Sequence, residues 1–244
     1  MGPCASATCA TFPAKTLGPA VREFHETPLG AMSESAAVPA PPTPVRKRPK
    51  PGERRVQILQ ALATMLEQPG AERVTTAALA AKLDVSEAAL YRHFASKAQM
   101  FEGLIDFIES TVFALVNQIS ERDAGQVAEP GSGVRQAARL VTMLMQFAEK
   151  NPGMARVMVG DALVFENERL HQRMSQFFDK FEAALRQCLR DSAAQNGSAM
   201  PTVDSQVGAA VLTAFVIGRL QRYARSGFKR PPSENLEACL AQML

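Results

Sequence analysis

The stretch that most constrains this chain runs from Arg73 to Lys97, RVTTAALAAKLDVSEAALYRHFASK. Thr75 and Thr76 supply an N-cap and a first turn, Leu79 and Leu83 recur on one helical face, and Asp84 stops the helix. A second helix starts at once. Ser86 is its N-cap, Glu87 suits the positive end of the helix dipole, and Val85 is placed to staple onto Leu90. Leu90 and Phe94 face inward. Two short helices separated only by Asp84, Val85 and Ser86 must cross steeply, which is the geometry of a helix-turn-helix whose second helix enters a DNA major groove. The outward face of that helix carries Ser86, the small Ala88 and Ala89, then Tyr91, Arg92 and His93. Small residues let the backbone approach base edges, while the larger polar groups reach phosphates. Arg73, Thr75, Thr76 and Glu87 complete the candidate DNA-facing set at the entries to the two helices.

Ser96 to Gln99 spells a capping box, so a further helix begins there. Lys97 then sits in a first helical turn, where a cation loses roughly 0.3–1 kcal/mol against the dipole. A DNA phosphate would resolve that conflict. His93 reads either as a solvated helix residue or as a phosphate contact beside Tyr91 and Lys97.

Charge supports this reading by its distribution, not its total. The net charge is only +3, but Arg46, Lys47, Arg48, Lys50, Arg54 and Arg55 sit within ten residues, against the single acid Glu53. Such an arm is either a solvated linker or a non-specific phosphate tracker. Residues 1–50, rich in Pro, Ala, Ser and Thr, show no sustained apolar period and are expected to be disordered. Met32 opens a more typical polar leader than Met1, which makes it a candidate start of the translated chain. The four cysteines, Cys4, Cys9, Cys188 and Cys239, have neither CxxC spacing nor a nearby histidine, so no metal and no disulfide framework is expected. No apolar run reaches the roughly 20 residues that a bilayer span needs, and a soluble cytoplasmic protein is expected.

The remaining chain reads as helices throughout. Helix 1 covers about 54–66 with Ile58, Leu62, Met65 and Leu66 on one stripe, and Pro69 and Gly70 turn it towards Arg73. The helix after Ser96 carries Phe101, Leu104, Ile105, Ile108, Val112, Leu115, Val116 and Ile119 on one stripe, to about residue 119. Phe107 falls off that stripe, which leaves either packing on a neighbouring helix or exposure to a partner. A polar loop leads to a helix over about 134–149, broken by Asn151-Pro152-Gly153. VMVGDALVFENERL follows as one or two short helices, and Leu170 to Leu189 as a long amphipathic one. From Val203 to about Tyr223 the chain is apolar almost all round, with small residues at Ala210, Ala214 and Gly218 beside Ile217. A helix apolar on every face must be buried on every face. A second subunit is the expected cover, in a two-fold homodimer through this helix and the last one, about 234–244.

With TTAALA, VSEAALYRHFASK and a long amphipathic helix after them, the chain resembles the TetR-type regulators. VSEAALYRHFASKAQMFEGLIDFIE together with EKNPGMARVMVGDALVFENERLHQR resembles, more narrowly, the nucleoid occlusion branch of that family. The resemblance spans roughly residues 53–244. It implies an all-α fold, with a three-helix DNA-binding domain over 51–97 and a helical dimerisation and partner-binding domain over 98–244. It also implies Lys97 on a backbone phosphate, palindromic operator-like DNA sites, a nucleoid location and inhibition of the division GTPase FtsZ. Phe107, Lys150 and Asn151 are the partner contacts it implies, although the residues alone make Lys150 and Asn151 a helix stop. The chain departs from close relatives at Leu115 and Gln146, where a basic and a small residue are expected. A ligand-responsive TetR-type repressor is the alternative function. An enzyme is disfavoured, since no P-loop, GxSxG, HExxH or Ser/His/Asp grouping is readable, and no cofactor is implied.

Overall fold

The structure is a computed structural model and describes residues 52–68, 74–124, 131–195 and 197–244. The expected disordered segment 1–50, with most of the basic arm, lies outside the described residues, as do Arg73 and the Pro69-Gly70 turn. Among the described residues every regular element is a helix. α1 spans Glu53–Leu66, α2 Thr76–Leu83, α3 Glu87–Tyr91, α4 Lys97–Ala124 and α5 Ser132–Lys150. α6 follows at Pro152–Met158, then a 3-10 turn at Asp161–Leu163, α7 at Glu168–Gln195, α8 at Pro201–Arg225 and α9 at Leu236–Met243.

The apolar stripes fall where helical periodicity puts them. Ile58, Leu62 and Leu66 of α1 are buried, with Met65 half-buried at the edge. On α4, Phe101, Leu104, Ile105, Ile108, Val112 and Val116 are buried, and Leu115 and Ile119 are partly open. α4 extends to Ala124, beyond the last residue of its apolar stripe. One contiguous apolar core joins α1–α3 to the rest through α4 and α6. Phe177 of α7, fully buried, packs edge-on against Phe113 of α4 at 5.5 Å and against Phe178 at 5.1 Å between ring centroids.

α6 forms because Pro152 pre-sets a helical φ at the first helical position, where a missing N–H costs nothing. Every residue from Gly153 to Met158 is then buried. Gly153 is required by a close approach: a Cβ there would lie 2.2 Å from the Ala63 carbonyl oxygen of α1. Arg156, buried in the same helix, donates from Nη1 to the Gln68 carbonyl oxygen at 2.9 Å, just past the end of α1, and its guanidinium lies 4.9 Å from the Phe228 ring centroid.

α8 packs one face on α7 and leaves the other open. Val203, Val207, Ala210, Val211, Ala214 and Gly218 are all exposed and fall within an arc of about 100° at 100° per residue. Ile217 flanks this stripe, half-buried against the core. No uninterrupted apolar run reaches 20 residues, yet among the described residues α8 is long and apolar enough, by length and composition, to cross a bilayer, a test that core helices also pass. Counting uninterrupted apolar residues missed it, because Asp204, Gln206 and Arg219 break the run without lowering the helix's overall apolar character.

Gly153→Ala is expected to destabilise the fold by about 1–3 kcal/mol, since an extra methyl pressed against backbone strains a packed junction. The gain of up to about 1 kcal/mol in helix propensity does not offset this. Urea unfolding measures the difference, and an unchanged midpoint would show that α1 and α6 can separate freely.

Candidate nucleic-acid interface and partner groove

The turn of the helix-turn-helix is closed by its own backbone. Thr75 Oγ1 accepts from the Ala78 N–H at 3.1 Å and caps α2. Asp84 adopts a left-handed conformation at φ 54°, ψ 51°, and the Asp84 and Val85 N–H groups return to the Ala81 and Ala80 carbonyls, each at 3.1 Å. This is a Schellman closure, and aspartate is among the few non-glycine residues that accept its left-handed position readily. Ser86 holds the N-cap position of α3, but its hydroxyl makes no capping bond. The Glu87 carboxylate instead accepts from Thr76 Oγ1 at 2.6 Å, tying the start of α3 to the start of α2.

Leu90 and Phe94 are buried as expected, which turns Ala88, Tyr91, Arg92 and His93 outward, with Ala89 half-covered. Tyr91 is 45% exposed, an unusual display for a large aromatic ring. Arg55, from the end of the basic arm, lies in α1 and not in a linker. Its guanidinium covers the Phe94 ring at 4.3 Å and reaches the His93 carbonyl oxygen at 3.3 Å, so it braces the end of α3.

Ser96 Oγ accepts from the Gln99 N–H at 3.2 Å, and Gln99 Oε1 accepts from the Ala95 N–H at 2.8 Å, a capping box displaced by one residue on its return arm. Lys97 resolves its electrostatic conflict within the chain. Its Nζ lies 2.5 Å from Glu166 Oε1, a contact that sequence spacing could not reveal across the intervening chain. Two further cations cross from α7 to α4. Arg173 pairs with Asp106 at 2.9 Å and Glu109 at 2.6 Å, and Arg169 approaches Glu102 at 3.9 Å. Burial works against the Arg173 guanidinium, yet its hydrogen bonds to Asp106 and Glu109 more than offset that, and its pKa lies above the ordinary arginine value.

The candidate partner residues divide. Lys150 is exposed at the end of α5. Phe107 is half-buried and packs against the core, a position between the two expected for it. Asn151 is buried, 6% exposed, and its side-chain amide donates to the Phe147 carbonyl oxygen at 2.8 Å. Its expected contact with a partner is therefore corrected: Asn151 fastens the α5–α6 junction from inside. Leu115 and Gln146 instead line an open groove of about 700 Å³ between α4, α5 and α9. Ile119, Ala138 and Leu240 contribute apolar surface to it, and Arg122, Arg135 and Arg139 stand around it. The recurrence of Arg135 and Arg139 one turn apart beside Val134 and Ala138 was the sequence signal for this groove.

Family models match in two places: "Bacterial regulatory proteins, tetR family" over residues 58–104 and "Tetracyclin repressor-like, C-terminal domain", of the SlmA-like type, over residues 133–244. The chain is 48% identical over 188 residues to the nucleoid occlusion factor SlmA of Aliivibrio fischeri strain MJ11, covering 77% of this chain and 92% of that one. It is 47% identical over 185 residues to SlmA of Vibrio cholerae, covering 75% and 90%. Among solved structures, the TetR family transcriptional regulator PfmR from Thermus thermophilus superposes with a TM-score of 0.61 at 21% identity, over 77% of this chain and 97% of that one. The fatty acid degradation regulator FadR from Bacillus halodurans gives 0.62 at 14% identity, over 80% and 96%. At these identities the two structures show the shared fold alone.

Tyr91→Ala is expected to leave the unfolding free energy within about 0.5 kcal/mol of the parent, because the ring points away from the core. DNA affinity should fall by the worth of one lost hydrogen bond, about 0.5–1.5 kcal/mol. Fluorescence anisotropy and thermal unfolding on the same preparation check both; loss of stability would place the ring in the fold and not at the interface.

Proposed function

Since the chain belongs to the SlmA nucleoid occlusion family of TetR-type regulators, we propose that it acts as a DNA-bound antagonist of cell division. As a two-fold dimer it binds chromosomal sites through its helix-turn-helix and there inhibits assembly of FtsZ. The observation that carries the reading is the combination of an outward-facing α3, bearing Tyr91, Arg92 and His93, with close similarity to curated SlmA proteins along nearly their whole length. Ala88 and Ala89 allow the backbone close to base edges, and Thr75, Thr76, Tyr91, His93 and Lys97 fix the register on phosphates. The work is done in the cytoplasm, on the nucleoid, and involves no catalysis.

The exposed stripe of α8 supports the dimer. Ala210, Ala214 and Gly218 let two such helices approach closely, and pairing covers Val203, Val207 and Val211. The groove between α4, α5 and α9 supports a protein partner: an apolar floor with arginines around it suits an amphipathic, acidic segment of FtsZ. Lys150, exposed one turn beyond Gln146 on α5, continues that side of the surface, whereas Phe107 lies on a different face of α4 from Leu115.

Chromatin immunoprecipitation is the direct test. Many sites across the chromosome, depleted near the replication terminus, are expected; occupancy confined to one or a few promoters would mark a transcriptional repressor instead. Arg139→Glu should weaken co-sedimentation with FtsZ by tenfold or more while leaving DNA binding unchanged, and intact co-sedimentation would move the partner surface off the groove. Ala214→Glu places a charge in the proposed helix pairing, where an unpaired buried charge costs several kcal/mol, on the order of 3–5. Sedimentation should then show monomers, and a soluble dimer with parental operator affinity would locate the interface elsewhere.

A further inference from the structure

Lys97 is the residue whose expected ligand, a phosphate, differs most from its observed one, a carboxylate. The ion pair is asymmetric: the Lys97 side chain is 30% exposed and that of Glu166 only 9%. The carboxylate is delivered by a built turn. The Glu166 N–H donates to the Leu163 carbonyl oxygen at 2.8 Å, and that oxygen lies 2.9 Å from His171 Nε2 of α7. Asn167 Oδ1 then accepts from the Arg169 N–H at 2.9 Å and starts α7. Glu166 is therefore held against Lys97 from both sides of its own position in the chain, and no swing of a long side chain is needed to bring it there.

We propose that Glu166 is a brake on sequence-independent DNA binding, competing with backbone phosphates for the Lys97 ammonium. The proposal rests on the reading of Lys97 as a phosphate contact. Sequence-independent affinity comes from cations that neutralise phosphates and release condensed counterions. An ammonium already neutralised by a carboxylate contributes little to that release, and a phosphate that approaches it meets a second negative charge. The other cations of the α4–α7 seam, Arg169 and Arg173, also face acids, so no spare cation there replaces Lys97. A phosphate contact carries no sequence information, so Glu166 lowers the sequence-independent affinity on which base contacts must build.

The test uses the full chain and a fluorescein-labelled 30-base-pair duplex of scrambled sequence, with affinity measured by anisotropy across a salt series. Glu166→Gln keeps the shape and removes the charge. It should bind at least about threefold more tightly at low salt, with a log–log salt slope steeper by about 0.9, the value for one added phosphate contact. Glu166→Ala, which also removes the side-chain volume, should shift in the same direction, and thermal unfolding confirms that both variants are folded. Unchanged or weaker binding by both would overturn the brake, the weaker result making Glu166 a support for Lys97. The double variant K97A/E166Q separates this from the underlying reading. Relative to E166Q it must lose the added affinity and slope; if it does not, Lys97 touches no phosphate and both readings fall together.

Discussion

The close approach of α6 to α1 is the constraint on which the arrangement of the molecule depends. Gly153 lets the Ala63 carbonyl oxygen come where any Cβ would stand, and Arg156 donates to the Gln68 carbonyl just past the end of α1. A hydrogen bond to a charged donor contributes about 1.5–3 kcal/mol, so this bond helps hold the end of α1 to the body of the protein. The same guanidinium lies over Phe228, which takes a left-handed φ of 66° in the turn after α8 and packs its ring on Tyr223 at 5.1 Å. A bulky residue persists in that conformation only when its surroundings over-determine it. The path from α8 to α1 thus runs through packed side chains, Tyr223 on Phe228 and Phe228 under Arg156. In a two-fold dimer such a path fixes the separation of the recognition helices, which DNA requires to match about 34 Å, one turn of the duplex.

Electrostatics divides the surface in a way the net charge conceals. Along the α4–α7 seam, Glu102, Asp106, Glu109 and Glu166 answer Arg169, Arg173 and Lys97, so those cations serve the fold first. Of the exposed cations near the reading helix, Lys82 and Arg92 belong to the helix-turn-helix itself and Arg55 reaches it from α1. Arginine in the Arg173 position uses its fork to hold two carboxylates at once, which a lysine would do less well.

Much of this was legible in the sequence because it depends on local chemistry. Thr75 as a cap, Asp84 as a stop, the α1 and α4 stripes and the inward Leu90 and Phe94 follow from spacing that repeats within one or two turns. What spacing could not supply were contacts between residues far apart in the chain. Lys97 finds Glu166, Thr76 finds Glu87 and Arg156 finds Gln68 only after the helices pack. Asn151 shows the same limit from the other side. Its Asn-Pro-Gly setting marks a break correctly, but whether the side chain faces a partner or the Phe147 carbonyl depends on how α6 turns beneath α5. The open face of α8 agrees with its sequence: apolar almost all round, the helix is covered by its own chain on one side and leaves exposed the face for which a second subunit is the expected cover.

Both proposed activities load onto α4, at positions far apart. Lys97 opens the helix beside the DNA-facing residues, and Leu115, in the groove, lies about 27 Å further along at 1.5 Å per residue. That is more than three Debye lengths at physiological ionic strength, about 8 Å each. Charge at the DNA face is therefore screened from the groove, and the arginines around the groove add little to the attraction for DNA. Any influence of bound DNA on the groove must travel mechanically, through the buried stripe from Phe101 to Val116 and the ion pairs that lash α4 to α7. Lys97 with Glu166 is the lashing at the start of α4, beside the helix-turn-helix, and under the proposed phosphate contact it is where occupancy by DNA would first be felt by the rest of the helix.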